Sequence, residues 1–184
     1  MARLFVAATV AVALLTGCSK GGASGDGETG TSPTTPVEFA GVVFEGLAKY
    51  DEPLFKRHYQ QDLSVLVPFF RSIEAAEAKQ KRRETKPIDD AEISKWIEKE
   101  HFAQTVDALS DLRGEGAKLG VDWSQVTNVK PEQWRPTDVV DGISLADCKV
   151  KFESKGSKFE LDVGDVAKVG DKWTSNRLRI SRTQ

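Results

Sequence analysis

The chain is poor in the residues that most often carry chemistry. Two histidines and two cysteines occur among its 184 residues. Neither histidine begins a His-Glu-x-x-His zinc signature. His101 also fails the reversed pattern, because Ile97 stands where the other histidine would be. No Gly-x-Ser-x-Gly elbow is present, which removes the usual serine-hydrolase reading. There is no Gly-x-x-x-x-Gly-Lys-Ser/Thr or Gly-x-Gly-x-x-Gly loop, so neither common phosphate cradle is available. Charge is nearly balanced, with 26 Lys+Arg against 28 Asp+Glu. That balance gives no electrostatic case for nucleic acid as a partner. The apolar stretch at residues 5–15, broken only by Thr9, is well short of the roughly 20 residues that span a bilayer. No internal repeat is found. These absences point to no cofactor, no metal and no catalytic residue.

What is present begins at the N-terminus. Residues 1–4 carry one cation, Arg3, and residues 5–15 have the length of a signal-peptide core. Leu15-Thr16-Gly17-Cys18 follows. This tetrapeptide resembles the lipobox of bacterial lipoprotein precursors: a small residue at −1, Gly17, and an aliphatic one at −3, Leu15, precede the cysteine. The resemblance implies that Cys18 is diacylated on sulfur and that the lipoprotein signal peptidase cuts before it, exposing its amino group to further acylation. Residues 1–17 are then a signal peptide. Each buried CH₂ contributes about 0.8 kcal/mol, so two or three chains anchor firmly where one binds reversibly. An ordinary secretory signal with a chance cysteine, or a buried N-terminal helix, are the alternatives. The polar sequence directly after Cys18 argues against both. The expected location is the bacterial cell envelope, lipid-anchored in the bilayer through Cys18. In a Gram-negative cell Ser19 favours the outer membrane, where Asp would favour retention in the inner one.

Residues 19–35 read SKGGASGDGETGTSPTT and hold no large apolar side chain. Such a segment cannot bury enough surface to fold and is expected to be a flexible tether. Its span is roughly 20–25 Å by the Gly-rich chain estimate. Cleavage removes Arg3 alone among the charges, leaving 25 cations against 28 anions. With Cys18 acylated, Cys148 has no partner for an intrachain disulfide. Residues 36–184 suffice for one domain with one core.

The first half of that domain has helical spacing. Thr35-Pro36-Val37-Glu38 is a helix start, with Thr35 as N-cap, Pro36 in the first turn and Glu38 completing a capping box. Ala40, Val43, Phe44 and Leu47 follow on one face. Asp51-Glu52-Pro53 opens a second short helix with Leu54, Phe55 and Tyr59 on its apolar side. A third spans residues 64–83, buried along Leu66, Phe69, Phe70 and Ile73. A fourth starts at Asp89, again with Glu92 in capping-box position. It repeats Ile93, Trp96, Ile97, Ala103, Val106, Leu109 and Leu112, and is expected to stop at Gly114 and Gly116.

In the second half the period changes to two. Cys148, Val150 and Phe152 alternate with charged residues, as do Phe159, Leu161 and Val163. Two half-buried strands follow, joined by a turn at Gly156-Ser157. Gly170-Asp171 precedes a third strand with Trp173, Leu178 and Ile180. The parity change between Trp173 and Leu178 requires a bend or bulge. Residues 126–140 add a further strand, interrupted by Pro131 and Pro136. The fold class is α+β: about four N-terminal helices on a C-terminal antiparallel sheet of three to four strands.

Residues 39–54 (FAGVVFEGLAKYDEPL) resemble the opening helix of the nuclear-transport-factor-two-like, or cystatin-like, α+β cone. Residues 151–173 resemble its closing hairpins, ending in a Gly-x-x-Trp turn. The resemblance implies helices packed in the hollow of a curved sheet. Some enzymes of that superfamily use an Asp–His pair inside the cone. Asp51 and His58 lie in local sequences that match no such motif, and no role is carried to them.

His58 and His101 read as packing or solvated side chains, and Cys148 as a buried, inert thiol. The run Lys79-Gln80-Lys81-Arg82-Arg83 is suited to anionic headgroups or to a solvated helix C-terminus, and the acidic residues around it favour the second. Of Trp96, Trp123, Trp134 and Trp173, Trp134 is expected in an exposed loop between prolines. The functional expectation is a membrane-anchored envelope lipoprotein with a non-catalytic protein-interaction domain, its partner an unidentified envelope protein. The alternative is a small-molecule-binding module or enzyme with a pocket between sheet and helices.

Overall fold

A computed structural model describes residues 32–59, 61–81, 89–135, 138–140 and 142–183. The expected signal peptide, Cys18, the expected tether as far as residue 31, Arg82 and Arg83 lie outside the described residues, as does Pro136. Helix α1 (Pro36–Lys49) starts at the expected cap: Thr35 Oγ1 accepts the Glu38 N–H at 3.2 Å. The Glu38 carboxylate reaches one residue further back than a capping box requires. It accepts the Thr34 N–H and hydroxyl, both at 2.7 Å, and these bonds lower its pKa. Helix α2 (Glu52–Tyr59) is opened by Asp51, whose Oδ1 accepts the Leu54 N–H at 3.0 Å. Helix α3 (Leu63–Lys81) buries the expected stripe of Leu66, Phe69, Phe70 and Ile73.

The fourth helix differs from the expected single stripe. Helix α4 (Asp90–Trp96) passes into a π turn (Ile97–His101), then α5 (Phe102–Thr105), a break, and α6 (Ala108–Lys118). The wider π turn, closed by the Phe102 N–H on the Ile97 carbonyl, advances the buried face by one residue. His101 and Thr105 therefore point inward, each 5% exposed, while Ala103 is exposed and Val106 is 56% exposed. Gly114 and Gly116 do not end the helix; both lie inside α6. It ends at Lys118, and Gly120 beyond it, with a φ of +97°, closes a Schellman motif. There the Val121 N–H reaches the Gly116 carbonyl at 2.9 Å and the Gly120 N–H reaches Ala117 at 3.0 Å.

Among the described residues, six strand segments form one antiparallel sheet with four lanes. Strands β1 (Val126–Gln133) and β2 (Asp138–Val140) share the lane beside β3 (Ile143–Ser154). Next comes β4 (Ser157–Val169), and then β5 (Lys172–Thr174) and β6 (Arg177–Thr183) share the far lane. The β3–β4 turn is Lys155-Gly156, both at positive φ, with Ser154 paired to Ser157. It thus sits one residue earlier than the alternation suggested, with the positive φ at both positions that a type I′ turn needs. The parity change after Trp173 is taken up by the gap between β5 and β6. Pro131 does not interrupt β1; its missing N–H is tolerated because β1 is an outer lane.

Helices cover both faces of this sheet. Cys148, Val150, Leu161, Val163 and Ile180 share a face, as their pairings require, and pack with α1, α2 and α6 through Phe39, Val43, Leu47, Phe55 and Leu112. Leu145 and Ala167 pair with each other beyond a slip in strand register between Ala146 and Cys148, which turns Ala167 to the opposite face although it stands an even number of residues from Val163. They join Val140, Leu66, Phe69, Ile93 and Ile97 in a second cluster under α3 and α4. Each fully buried Leu, Phe or Val contributes about 1.5–3 kcal/mol. Beyond the reach of α3, this second face is charged and open.

Candidate functional site

The α3-covered and open parts of the second face meet at a bulge. Strand register slips between Ala146 and Cys148, so Asp147 alone opposes Gly164 and Asp165. Asp165 takes the left-handed backbone, φ 53°, a conformation that Asp tolerates better than most residues. The Asp147 carboxylate stitches the bulge: its Oδ1 accepts the Asp165 N–H at 3.0 Å. The same oxygen meets Arg177 Nη2 at 3.3 Å, and Oδ2 meets Arg135 Nη1 at 3.4 Å. Arg177 also pairs through Nε with Asp162 Oδ2 at 3.4 Å, while Asp162 Oδ1 is buried without a hydrogen-bond partner. Gly164 makes room for this guanidinium, which a Cβ at that position would overlap.

A cleft of about 310 Å³ opens here between α3 and the sheet. Ile73 and Ala76 form its apolar wall, and Arg135, Asp147, Asp165 and Arg177 its polar one, with Glu77 and Asp138 at the side. Burial raises the Asp165 pKa; Arg177 opposes that effect and Asp147 reinforces it. Asp147 is 13% exposed and held by three donors. Its observed role is to fix the bulge. Among the described residues no group of three or more His, Cys, Asp or Glu is placed to hold a metal ion.

The residues singled out by type are used elsewhere. His58 is half-buried, edge-on to Phe39 at 6.0 Å, and burial lowers its pKa with a smaller effect from Arg57. His101 is enclosed by Phe70, Trp96 and Phe102 at 4.9, 5.8 and 6.2 Å, and burial lowers its pKa too. Cys148 is fully buried and its thiol is pushed up to about 11, first by burial and then by Asp147. Trp173 is buried against Phe39, and Trp123 stacks on Phe152. Trp134 is exposed as expected, at 38%, with the Arg135 guanidinium 4.2 Å from its ring centre.

The sequence reading missed Asp147, Asp165, Arg177 and Arg135. A signal was there: Val163-Gly164-Asp165-Val166 breaks the alternation of β4, the mark of a bulge. No protein-family model, curated protein or solved structure matches the chain.

Proposed function

We propose that this chain is an envelope lipoprotein, anchored through acylated Cys18, whose domain works by protein contact rather than catalysis. The observation that carries the non-catalytic reading is the use of its reactive side chains. His58, His101 and Cys148 are all spent in packing. The space between α1 and the sheet is filled by side chains such as Val43, Leu47, Val150 and Leu161, each at 0% exposure. Trp173 Nε1 donates to the Pro33 carbonyl at 2.6 Å, a buried bond that ties the residues before α1 to the sheet. The same reading takes the likeness to the cystatin-like cone as one of fold, limited to α1 and the sheet; α3 and α4 lie on the sheet's other face.

The anchor is tested by feeding cells an alkyne palmitate analogue. The full chain should take up label and sediment with membranes, and Cys18→Ser should abolish both. A labelled Cys18→Ser chain would overturn the assignment. In a Gram-negative host, density fractionation should place the protein with the outer membrane.

The cleft at the bulge supports a second reading, a small-molecule site between sheet and helix. Its mark is the raised Asp165 carboxyl beside two arginines. A small-molecule screen by thermal shift, repeated on Asp165→Asn, tests it: a ligand that stabilises the parent but not the variant would favour this reading.

A further inference from the structure

The sheet has two outer lanes, and the chain treats them differently. Strand β1 is blunted. Asn128 sits at φ 54° within a register break between Thr127 and Lys130, Pro131 lacks an N–H, and α1 packs on that proline at Gly41. These are devices that discourage strand addition. Strand β6 carries none of them. Its seven residues pair with β4 without a slip, from Lys158 with Thr183 to Gly164 with Arg177. Among the described strands it pairs with β4 alone. In an antiparallel lane alternate residues direct both N–H and C=O away from the partner, so β6 presents an uninterrupted row of backbone groups outward, and its charged side chains restrict what can pair with it.

The side chains on that edge have one sign. Arg177, Arg179 and Arg182 are exposed and no acidic residue occurs in β6. Arg177 is engaged by Asp147 and Asp162, and Arg182 donates to Ser157 Oγ at 2.9 Å. Arg179 makes no ion pair among the described residues. Lys158 adds a cation beside Arg182 in a groove of about 460 Å³ at the end of the strand. Pairing β6 with β6 of a second copy would set arginine near arginine, which disfavours a homodimer. An extended segment bearing carboxylates meets both the backbone row and the charge.

We propose that β6 is the docking edge for an extended acidic segment of another envelope protein, added to the sheet as a fifth lane. This rests on the protein-contact reading and names its surface and its partner chemistry. Two experiments separate the proposal from that reading. In the first, the full chain in detergent micelles is titrated against a fluorescent nine-residue peptide alternating Glu and Val, with a Lys–Val peptide as control. The Glu–Val peptide should bind, the control should not, and Arg179→Glu with Arg182→Glu should weaken binding at least tenfold. Amide exchange of residues 178–183 in the unaltered chain should slow when the peptide is bound, a readout that needs no variant. Equal binding of both peptides, an unmoved affinity in the variant, or slowing confined to β1 would overturn the proposal. In the second, a photo-crosslinking residue is placed in cells at position 179, at 130 on the blunted edge, and at other surface positions. An adduct at 179 mapped to an acidic extended segment of another protein supports the proposal. Adducts only from other positions, or only with a second copy, overturn the β6 assignment and leave protein contact standing. No adduct from any position overturns both.

Discussion

Gly116 lies against the indole of Trp123: a Cβ built there would overlap Cζ2 and stand 3.1 Å from Cε2 and 3.3 Å from Ile180 Cδ1. The indole is fixed in turn by its Nε1, which donates to the Arg113 carbonyl at 3.0 Å. Glycine is thus present in α6 for close approach of helix and indole, and helix termination is left to Gly120. Gly116→Ala should destabilise the protein by about 1–3 kcal/mol through overpacking. Gly114→Ala, with nothing within 4 Å of the added methyl, should stabilise it by about 0.5–1 kcal/mol through helix propensity. Urea unfolding of the two variants checks the pair, and equal effects would contradict this assignment.

The bulge depends on one carboxylate. Asp147→Ala removes the acceptor of the Asp165 N–H and two arginine contacts, and should cost about 2–3 kcal/mol. Asp147→Asn keeps an acceptor and should cost less. Denaturant midpoints and amide exchange at Asp165 give the comparison; an Ala variant as stable as the parent would show that the stitch is dispensable.

Stability should fall on mild acidification. Both histidines have pKa values lowered by burial from 6.5. In the unfolded chain they take up protons near 6.5, while in the folded chain they stay neutral to lower pH. The unfolded state therefore binds more protons, and stability is complete above about pH 7 and declines as pH drops below 6.5. His101→Phe keeps a ring in the Phe70–Trp96–Phe102 enclosure and removes one titration. Urea midpoints at pH 7.5 and 5.5 should separate less in this variant than in the parent.

Thiol counting reports on both cysteines at once. Cys148, buried and with its thiol raised to about 11, should resist a maleimide–polymer reagent in the native protein. The chain purified from membranes and unfolded in urea should gain one polymer per molecule, as the proposed acylation of Cys18 requires. A gain of two would show an unmodified Cys18, and labelling in native buffer would contradict the burial of Cys148.

Arg113 Nη1 donates to the Leu47 and Ala48 carbonyls at 2.6 and 2.8 Å and so closes the C-terminus of α1. Its guanidinium also lies 5.0 Å from the ring of Tyr50, which holds the left-handed cap position usually given to glycine. Arg113→Ala should cost about 1–2 kcal/mol by removing a donor from both carbonyls, Leu47 keeping the Tyr50 N–H at 3.4 Å. Thermal unfolding of the variant reads this directly.

Much of the fold was legible because its causes are local. The Thr35 cap, the α1 stripe from Phe39 to Leu47 and the alternation around Val150 and Leu161 each rest on residues within a few positions of one another. Where reading failed, the cause lay far along the chain. The π turn at Ile97 displaces Val106 outward, and its neighbours are α3 residues such as Phe70. Gly116 looked like a stop because Trp123 could not be placed against it.

By itself the sequence determined the order of helices and strands, the sites of most caps, the alternation that makes one strand face apolar, and the lipobox-like tetrapeptide. Those depend on propensity, side-chain periodicity and short-range hydrogen bonds, all of which are written in adjacent residues. Only the tertiary structure decided that helices cover both faces of the sheet, that Asp147 meets Arg135 and Arg177 at a bulge, and that one outer lane is blunted while the other is straight. These relations join residues separated by many turns of chain. They follow from lane order and strand register, which set the neighbours of each side chain and are specified by no single segment.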